Sequence, residues 1–215
     1  MKIRTSTLNI TQNQALQAFK RMEKRSKPLL NMELLYAPFW LMTYKYHTVG
    51  ESQQGQAKKS QRILKYLTQK KRPAQTIESR VVLVADAVLG QIAFLKGEDA
   101  SGMVDVEVDV KEEDIIGVAI PINRVVGKAE SELKKRLLSI YMWRTKNFSL
   151  QLESSQIFYV PFWVGYYKVG QEERIQIEVM NALSGEVGDS WHRGIIETGI
   201  LRMYQKPGGT CQSNL

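Results

Sequence analysis

Residues 34–40 read LLYAPFW and residues 157–163 read IFYVPFW. The chain therefore contains twice the pattern Tyr, one small apolar residue, Pro, Phe, Trp. When Pro38 is aligned with Pro161, a Tyr-Lys pair also falls at the same distance after each Trp. These pairs are Tyr44-Lys45 and Tyr167-Lys168. Two matching features in the same order indicate a repeat longer than the aromatic motif itself.

A second pair of similar segments follows the aromatic motif. Residues 82–92 read VLVADAVLGQI and residues 177–187 read IEVMNALSGEV. The interval from the Pro of the motif to the Gly of this segment is 52 residues in the first copy and 24 in the second. The difference of 28 residues predicts an insertion in the first copy, which we place at about 50–78.

The polar residue of this second segment is Asp86 in the first copy and Asn181 in the other. An amide cannot act as a general base, so the two copies cannot share acid-base chemistry at this position. Both side chains can accept hydrogen bonds from backbone N–H groups in a turn, and Gly90 and Gly185 can adopt a positive φ. The segment therefore predicts a hairpin turn.

Local patterns predict one helix and several strands in each copy. The first helix starts at a T-x-x-Q capping box, Thr11 to Gln14, and ends before Pro28. The second helix covers about 128–146, where apolar residues recur at helical spacing. Besides the two motif strands, the predicted strands are 2–9, 81–86, 91–95, 104–110, 116–122, 174–180, 186–188 and 194–204.

These elements predict an α+β fold made of two tandem β-α-β-β-β-β units, each a helix packed on an antiparallel sheet. The units cover 1–112 and 113–206, and a flexible tail follows at 207–215. Because Pro has no N–H to donate to a ladder, we expect Pro38 and Pro161 on an edge strand, at a strand start or at a bulge.

The turn segments also resemble those of PepSY-type domains, which have a cystatin-like helix-on-sheet fold. The resemblance covers about half of each unit and rests on a short Asp/Asn-Ala-x-x-Gly-x-Val/Ile pattern. Its residues are Asp86, Ala87, Gly90 and Ile92, then Asn181, Ala182, Gly185 and Val187. The resemblance implies a small binding or inhibitory module rather than an enzyme.

The net charge of +8 is unevenly placed along the 215 residues. Residues 98–114 carry −7, while the basic residues concentrate in 1–28 and 58–80, which include Arg62 and Lys65. Basic stretches can bind nucleic acid, an anionic surface or an acidic protein. They can also be solvated helix faces, and this second interpretation is the more common one.

Alternation along the motif strands puts Tyr36, Trp40, Tyr159 and Trp163 on one face of each strand. These rings either pack in a core beneath a helix or form an exposed aromatic platform, beside which a strand edge accepts a peptide from a partner.

The two aligned lysines, Lys45 and Lys168, are either solvated at strand ends or contact residues for that partner. A buried lysine with a lowered pKa could also act as a nucleophile.

No duplicated catalytic group and no metal-ligand spacing is present, so we predict a non-enzymatic protein- or peptide-binding module without metal or cofactor. Nucleic-acid or anionic-surface binding is the alternative. An enzyme that uses His192, Glu197 or Lys168, with the local cluster Trp191-His192-Arg193, ranks third.

The amino-terminal sequence lacks the apolar region of a secretory signal, and no apolar stretch reaches the ~18 residues that span a bilayer. The single cysteine, Cys211, excludes an internal disulfide. We therefore expect a cytoplasmic protein, and a homo-oligomer is among the expected assemblies.

Overall fold

A computed structural model describes most of the chain, in six segments. The described residues are 1–24, 27–50, 75–95, 106–140, 145–170 and 174–205. Arg62, Lys65 and the tail 207–215 lie outside these segments, as does most of the predicted insertion.

The described residues form seven strands and three α-helices. The strands are β1 (Lys2–Thr5), β2 (Leu29–Gly50), β3 (Gln75–Asp86), β4 (Ile92–Leu95), β5 (Val106–Asp109), β6 (Thr145–Val169) and β7 (Arg174–Asn181). The helices are α1 (Gln12–Arg21), α2 (Ile122–Ile140) and α3 (Ser190–Gln205), and a 3-10 turn covers Glu112–Asp114. The fold is therefore α+β, as predicted.

All seven strands belong to one sheet, with the order β4-β3-β2-β6-β1-β5, and β7 also pairs with β6. Every strand pair is antiparallel except β1 with β6. The long ladder between β2 and β6 forms the centre of the sheet. In this ladder Tyr36 lies opposite Pro161, and Pro38 lies opposite Tyr159. The two aromatic motifs are therefore paired with each other.

This pairing makes the expected edge position of the two prolines wrong, because β2 and β6 are interior strands. The O atom of Pro38 accepts from the Ala87 N–H at 2.9 Å, and the O atom of Pro161 accepts from the Ala182 N–H at 3.0 Å. The N and O atoms of one strand residue point to the same side. The side on which each proline lacks an N–H is therefore the side of its hairpin partner, β3 for Pro38 and β7 for Pro161. Each proline lies just past the end of that partner strand.

The two faces of the sheet are covered by different helices. Helix α3 covers one face through Ile195 and Ile196. The buried residues of β2 and β6 beneath it are Leu35, Ala37, Phe39, Phe158, Val160, Phe162 and Val164. The motif residues that alternate with these along β2 and β6 point to the other face of the sheet, where α1 and α2 lie.

Each of the two helices on that other side packs on strands that lie far from it in sequence. Helix α1 buries Ala15 and Phe19 against Trp163 and Tyr167 of β6. Helix α2 buries Ala129, Leu133 and Leu137 against residues of β2 and β3, among them Met42, Tyr44 and Leu83. The buried partners of the helix that precedes β2 therefore belong to β6 and β7, and only partly buried residues of β2 pack against it. The buried partners of the helix that precedes β6 belong to β2 and β3, with partly buried Leu150 and Leu152 of β6 beside them.

The first predicted helix is confirmed, including its capping box. The Thr11 side chain accepts from the Gln14 N–H, and the Gln14 side chain accepts from the Thr11 N–H. The second helix covers Ile122–Ile140 where about 128–146 was predicted, and residues 145–146 belong to β6. Residues 141–144 lie outside the described segments.

The predicted strand 194–204 is wrong, since these residues lie in α3. The buried positions Ile195, Ile196 and Gly199 recur at helical spacing. The side chain of Asp189 accepts the N–H groups of Trp191 and His192 at 3.0 Å, which is the geometry of a helix N-cap. This cap directs the chain out of the sheet and into the helix.

Several strand boundaries also differ from the prediction. Strand β1 ends at Thr5 instead of residue 9, and residues 116–122 form no strand. The residue before them, Ile115, makes a single bridge to Tyr36. The predicted strand 186–188 is reduced to one bridge at Val187. Residues 75–78, assigned to the insertion, already belong to β3. The predicted strands 81–86, 91–95, 104–110 and 174–180 correspond to β3, β4, β5 and β7. Residues 104–105 lie outside the described segments.

The division into units 1–112 and 113–206 stays a prediction about the sequence. Strands from both ranges share the one sheet, because β2 and β6 are neighbours.

Two glycines of α3 should respond in opposite ways to replacement by alanine. A Cβ on Gly199 would lie 2.5 Å from Cγ2 of Ile116, which is fully buried, so we expect Gly199→Ala to destabilise the fold by about 1–3 kcal/mol. A Cβ on Gly194 would meet Leu89 at an ordinary 3.5 Å. Gly194→Ala should therefore stabilise by up to about 1 kcal/mol through helix propensity. Urea denaturation measures both, and equal effects would contradict this packing of α3.

Candidate functional site

The four aromatic side chains predicted as contact residues lie in the core. Tyr36, Tyr159 and Trp163 are each less than 9% exposed, and Trp40 is half-buried. The indole of Trp40 donates to the Ile120 O atom at 3.1 Å, and that of Trp163 donates to a carbonyl of the loop before α1 at 3.0 Å. Core packing therefore accounts for these rings, and no exposed platform forms from them.

The two tyrosines that follow the motif are also buried. The hydroxyl of Tyr167 donates to the Phe19 O atom at 2.8 Å, and the hydroxyl of Tyr44 is buried on the other half of the same face. Burial raises the pKa of each phenol to about 12. Both phenols therefore stay protonated at neutral pH and have structural roles.

Lys45 and Lys168 are separated by the length of the central ladder. Lys45 lies opposite Gln151, whereas Lys168 lies near the start of β2, where its N–H donates to the Pro28 O atom. The Lys45 ammonium contacts Glu78 at 2.6 Å, and this hydrogen bond lowers the pKa of the Glu78 carboxyl. The two lysines therefore do not form a common site.

The cluster Trp191-His192-Arg193 sends its three side chains to three different partners. Trp191 Nε1 donates to Asp86, His192 Nδ1 contacts Asp189 at 2.9 Å, and Arg193 donates to Glu178. Hydrogen bonding from the His192 N–H holds the pKa of Asp189 below its usual value. All three contacts fix the start of α3, which is a structural role.

Both predicted hairpin turns are present, but they differ in how many donors the polar side chain satisfies. The fully buried Asp86 carboxylate accepts the N–H groups of the four residues 88–91 as well as the Trp191 indole. Asn181 Oδ1 accepts from Leu183 and Ser184 only. The turn glycines have φ of 71° and 75°, as the sequence predicts.

Within the described segments, β7 pairs with β6 on one side and forms only a single bridge, Met180 with Val187, on its outer side. In an antiparallel ladder, successive residues direct their N–H and C=O groups to alternate sides of the strand. The Gly188 N–H donates to the Val179 O atom at 2.7 Å, on the side away from β6. By the same alternation, Ile175 and Ile177 direct their backbone groups outward, where no other described strand pairs with them.

The part of β3 that corresponds to residues 177–180 of β7 is covered. There β4 pairs with residues 82–85, from Val82 opposite Leu95 to Ala85 opposite Ile92. After Val187 the chain continues instead with Gly188 and the N-cap Asp189, and it turns into α3. A Cβ on Gly188 would lie 2.9 Å from the His192 Cβ, so this turn requires a glycine.

A buried ion-pair cluster lies beside the β7 edge. Glu178 is 9% exposed. Its carboxylate accepts hydrogen bonds from Lys27 and Arg193, each at 2.7 Å, and from Gln176 at 3.1 Å. Lys27 also lies over the Tyr167 ring, 4.7 Å from its centroid. Sequence analysis missed this cluster because Lys27 and Glu178 are 151 residues apart and neither stands in a motif.

The other two outer edges are less suited to strand addition. The edge strand β5 carries Glu107 and Asp109, and charges on an edge strand discourage pairing with another chain. Strand β4 has four residues, and the Arg136 guanidinium of α2 lies 4.2 Å from its Phe94 ring.

Two cations of the predicted basic stretches are already engaged within the fold. Lys27, from 1–28, is paired with Glu178, and Arg80, from 58–80, is paired with Glu153. Nucleic-acid or anionic-surface binding through these stretches stays a prediction.

Comparison of the chain with protein-family models, curated proteins and solved structures gives no match. The resemblance to PepSY-type domains therefore stays a prediction. None of the described helices is long and apolar enough to cross a membrane. Within the described segments, no group of three or more His, Cys, Asp or Glu residues is placed to hold a metal ion.

The two turn residues should not be interchangeable. In Asp86→Asn the amide replaces one carboxylate oxygen and leaves donors without an acceptor in a buried site, so we expect a loss of about 2–4 kcal/mol. Asn181→Asp keeps the accepting oxygen in a half-buried turn and should cost less than about 1 kcal/mol. Chemical denaturation compares the two, and a larger cost for Asn181→Asp would contradict these assignments.

Proposed function

We propose that this chain is a non-enzymatic protein-binding module that accepts a strand from its partner along the outer edge of β7. The observation that carries the proposal is the pair of outward-facing residues Ile175 and Ile177, with which no other described strand pairs on the side away from β6. The residue of β3 that is equivalent to Ile177 is Val82, which is paired with Leu95 of β4. Strand addition satisfies such backbone groups, and the side chains beside the edge provide specificity.

We further propose that the module arose by duplication of a PepSY-like unit. In support, the O atoms of the two motif prolines accept equivalent N–H groups, and each motif Trp donates to the carbonyl of the residue two before a helix start. The carbonyl of Ala87 accepts from Ile120, and that of Ala182 accepts from Ile10. Contacts repeated in this way fit two copies of one unit that differ in extent beside the hairpin strand, where β4 pairs with four residues of β3 and only a single bridge at Val187 lies beside β7.

The duplicated groups support binding rather than catalysis. The repeated side chains, Trp40 with Trp163 and Tyr44 with Tyr167, are buried or half-buried and anchor the helices to the sheet. What the two copies share is therefore packing, and the edge is where they differ.

Amide exchange along β7 tests this proposal directly. In the monomeric chain at low concentration, the outward N–H groups of Ile175 and Ile177 should exchange quickly, whereas those of Gln176 and Glu178 should be protected by β6. Residue-resolved NMR exchange measures the alternation. Protection of Ile175 and Ile177 in the monomer would show that the edge is already covered and would overturn the proposal.

A further inference from the structure

Resting on the proposed binding edge, we infer that the strand it accepts carries an acidic side chain and that Arg193 binds this acid. Arg193 is then the residue that determines the specificity of the β7 edge. Two observations point to this role: the path that the Arg193 side chain takes across the edge, and the excess of positive charge in the ion-pair cluster that it joins.

The Arg193 side chain crosses the outer edge of β7. Arg193 belongs to α3, which packs on the face of the sheet that contains Ile177 and Val179. Glu178 alternates with these two residues and points to the face of α1, where it accepts from Lys27. Because β6 occupies the inner side of β7, the guanidinium reaches the Glu178 carboxylate, at 2.7 Å, around the outer edge. A strand added to this edge therefore lies beside the guanidinium.

Two cations share one carboxylate in this cluster. Lys27 and Arg193 both donate to Glu178, and the Nε atom of Arg193 is buried with no acceptor among the described residues. A carboxylate of the partner that takes over Arg193 leaves Glu178 paired with Lys27, so each carboxylate then has one cation. The guanidinium fork can donate two parallel hydrogen bonds to one carboxylate, which gives Nε the acceptor it lacks.

Arg193 is also the member of the ion pairs most accessible to a partner. Its side chain is 35% exposed, compared with 18% for Lys27 and 12% for Glu178. A residue of the added strand opposite Gln176 points to the face of Glu178, since cross-strand neighbours share a face. An acidic residue there lies diagonally beside Glu178, a separation that long side chains such as Arg and Glu can span.

The covered edge of β3 shows the same relation with apolar groups. The residue of β3 that is equivalent to Glu178 is Leu83, which is fully buried, and β4 places Phe94 opposite it. The covering strand therefore matches the apolar residue that it meets. At β7 the added strand meets a carboxylate that already holds two cations, so an acid is the side chain that matches this site.

Peptide binding to the full chain tests the acid preference. The probes are two short capped peptides of alternating Val and Thr, in which either Glu or Gln replaces one central Thr. NMR shift changes of the Ile175 and Ile177 N–H groups measure binding at the edge, and those of the Arg193 Nε–H group measure the side-chain contact. The Glu peptide should bind at least about fivefold more tightly, because a bidentate charged pair is stronger than a bond to a neutral amide.

Variants of the cations separate the Arg193 contact from the general positive charge of this region. Arg193→Gln should abolish the preference, and so should Lys27→Met, because Arg193 is then needed by Glu178 itself. The control Lys168→Gln removes a charge from β6, opposite Ile175 and outside the cluster, and should keep the preference. Arg193→Lys keeps the charge but loses the fork, so a weaker preference is expected, and it replaces Arg193→Gln if that variant does not fold.

Equal affinity of the two peptides for the unsubstituted chain would overturn the inference, as would a preference that persists in Arg193→Gln. Shift changes at Ile175 and Ile177 that are equal for both peptides would still support the binding edge. An absence of binding by the Glu peptide would also overturn the inference, and the exchange rates of the outward β7 amides then decide separately whether the edge is open. A failure of acid recognition is therefore distinguishable from a failure of the proposed function.

Discussion

The antiparallel pairing of β2 with β6 is the interaction on which the rest of this structure depends. The ladder runs from Leu29 opposite Tyr167 to Gly50 opposite Thr145, and it places the two aromatic motifs across from each other at its middle. Both β2 and β6 are longer than their hairpin partners, so each partner pairs with only part of its strand. Strand β3 pairs with the outer side of β2 at one end of the ladder, and β7 pairs with the outer side of β6 at the other end. The positions of the helices, the prolines and the open edge follow from this geometry.

Two consequences of the ladder explain features that look unfavourable in isolation. The prolines occupy interior strands, yet they cost no ladder bond because each lies just past the end of a hairpin partner. The helices α1 and α2 cover strands distant from them in sequence, so the hydrophobic contacts of each half depend on the other half. No described strand pairs with the outer side of Ile177, because the chain enters α3 after Asp189 where the first copy continues into β4.

Local signals in the sequence predicted much of this architecture. The capping box at Thr11 and the turns at Asp86 and Asn181 report local geometry, and each is present. The pairing of the two aromatic motifs with each other was not predicted, because it is a contact between distant parts of the chain. Helix α3 was missed because GIIETGILRMY contains β-branched residues and two glycines, which disfavour a helix until the cap and the packing against Ile116 are formed. The Lys27–Glu178–Arg193 cluster and the exchange of helices depend on long-range packing, which local patterns do not encode.

Interstrand NOEs at the centre of the ladder test the account most directly. Pro38 and Tyr159 form a non-hydrogen-bonded pair, as do Tyr36 and Pro161, because the O atoms of Pro38 and Tyr36 accept bonds on the side away from β6. Their Cα atoms should be about 4.5 Å apart, which gives strong Hα–Hα NOEs for both pairs. Both NOEs are predicted in the monomeric chain. Their absence, with NOEs that connect each motif to strands of its own half alone, would contradict the shared ladder.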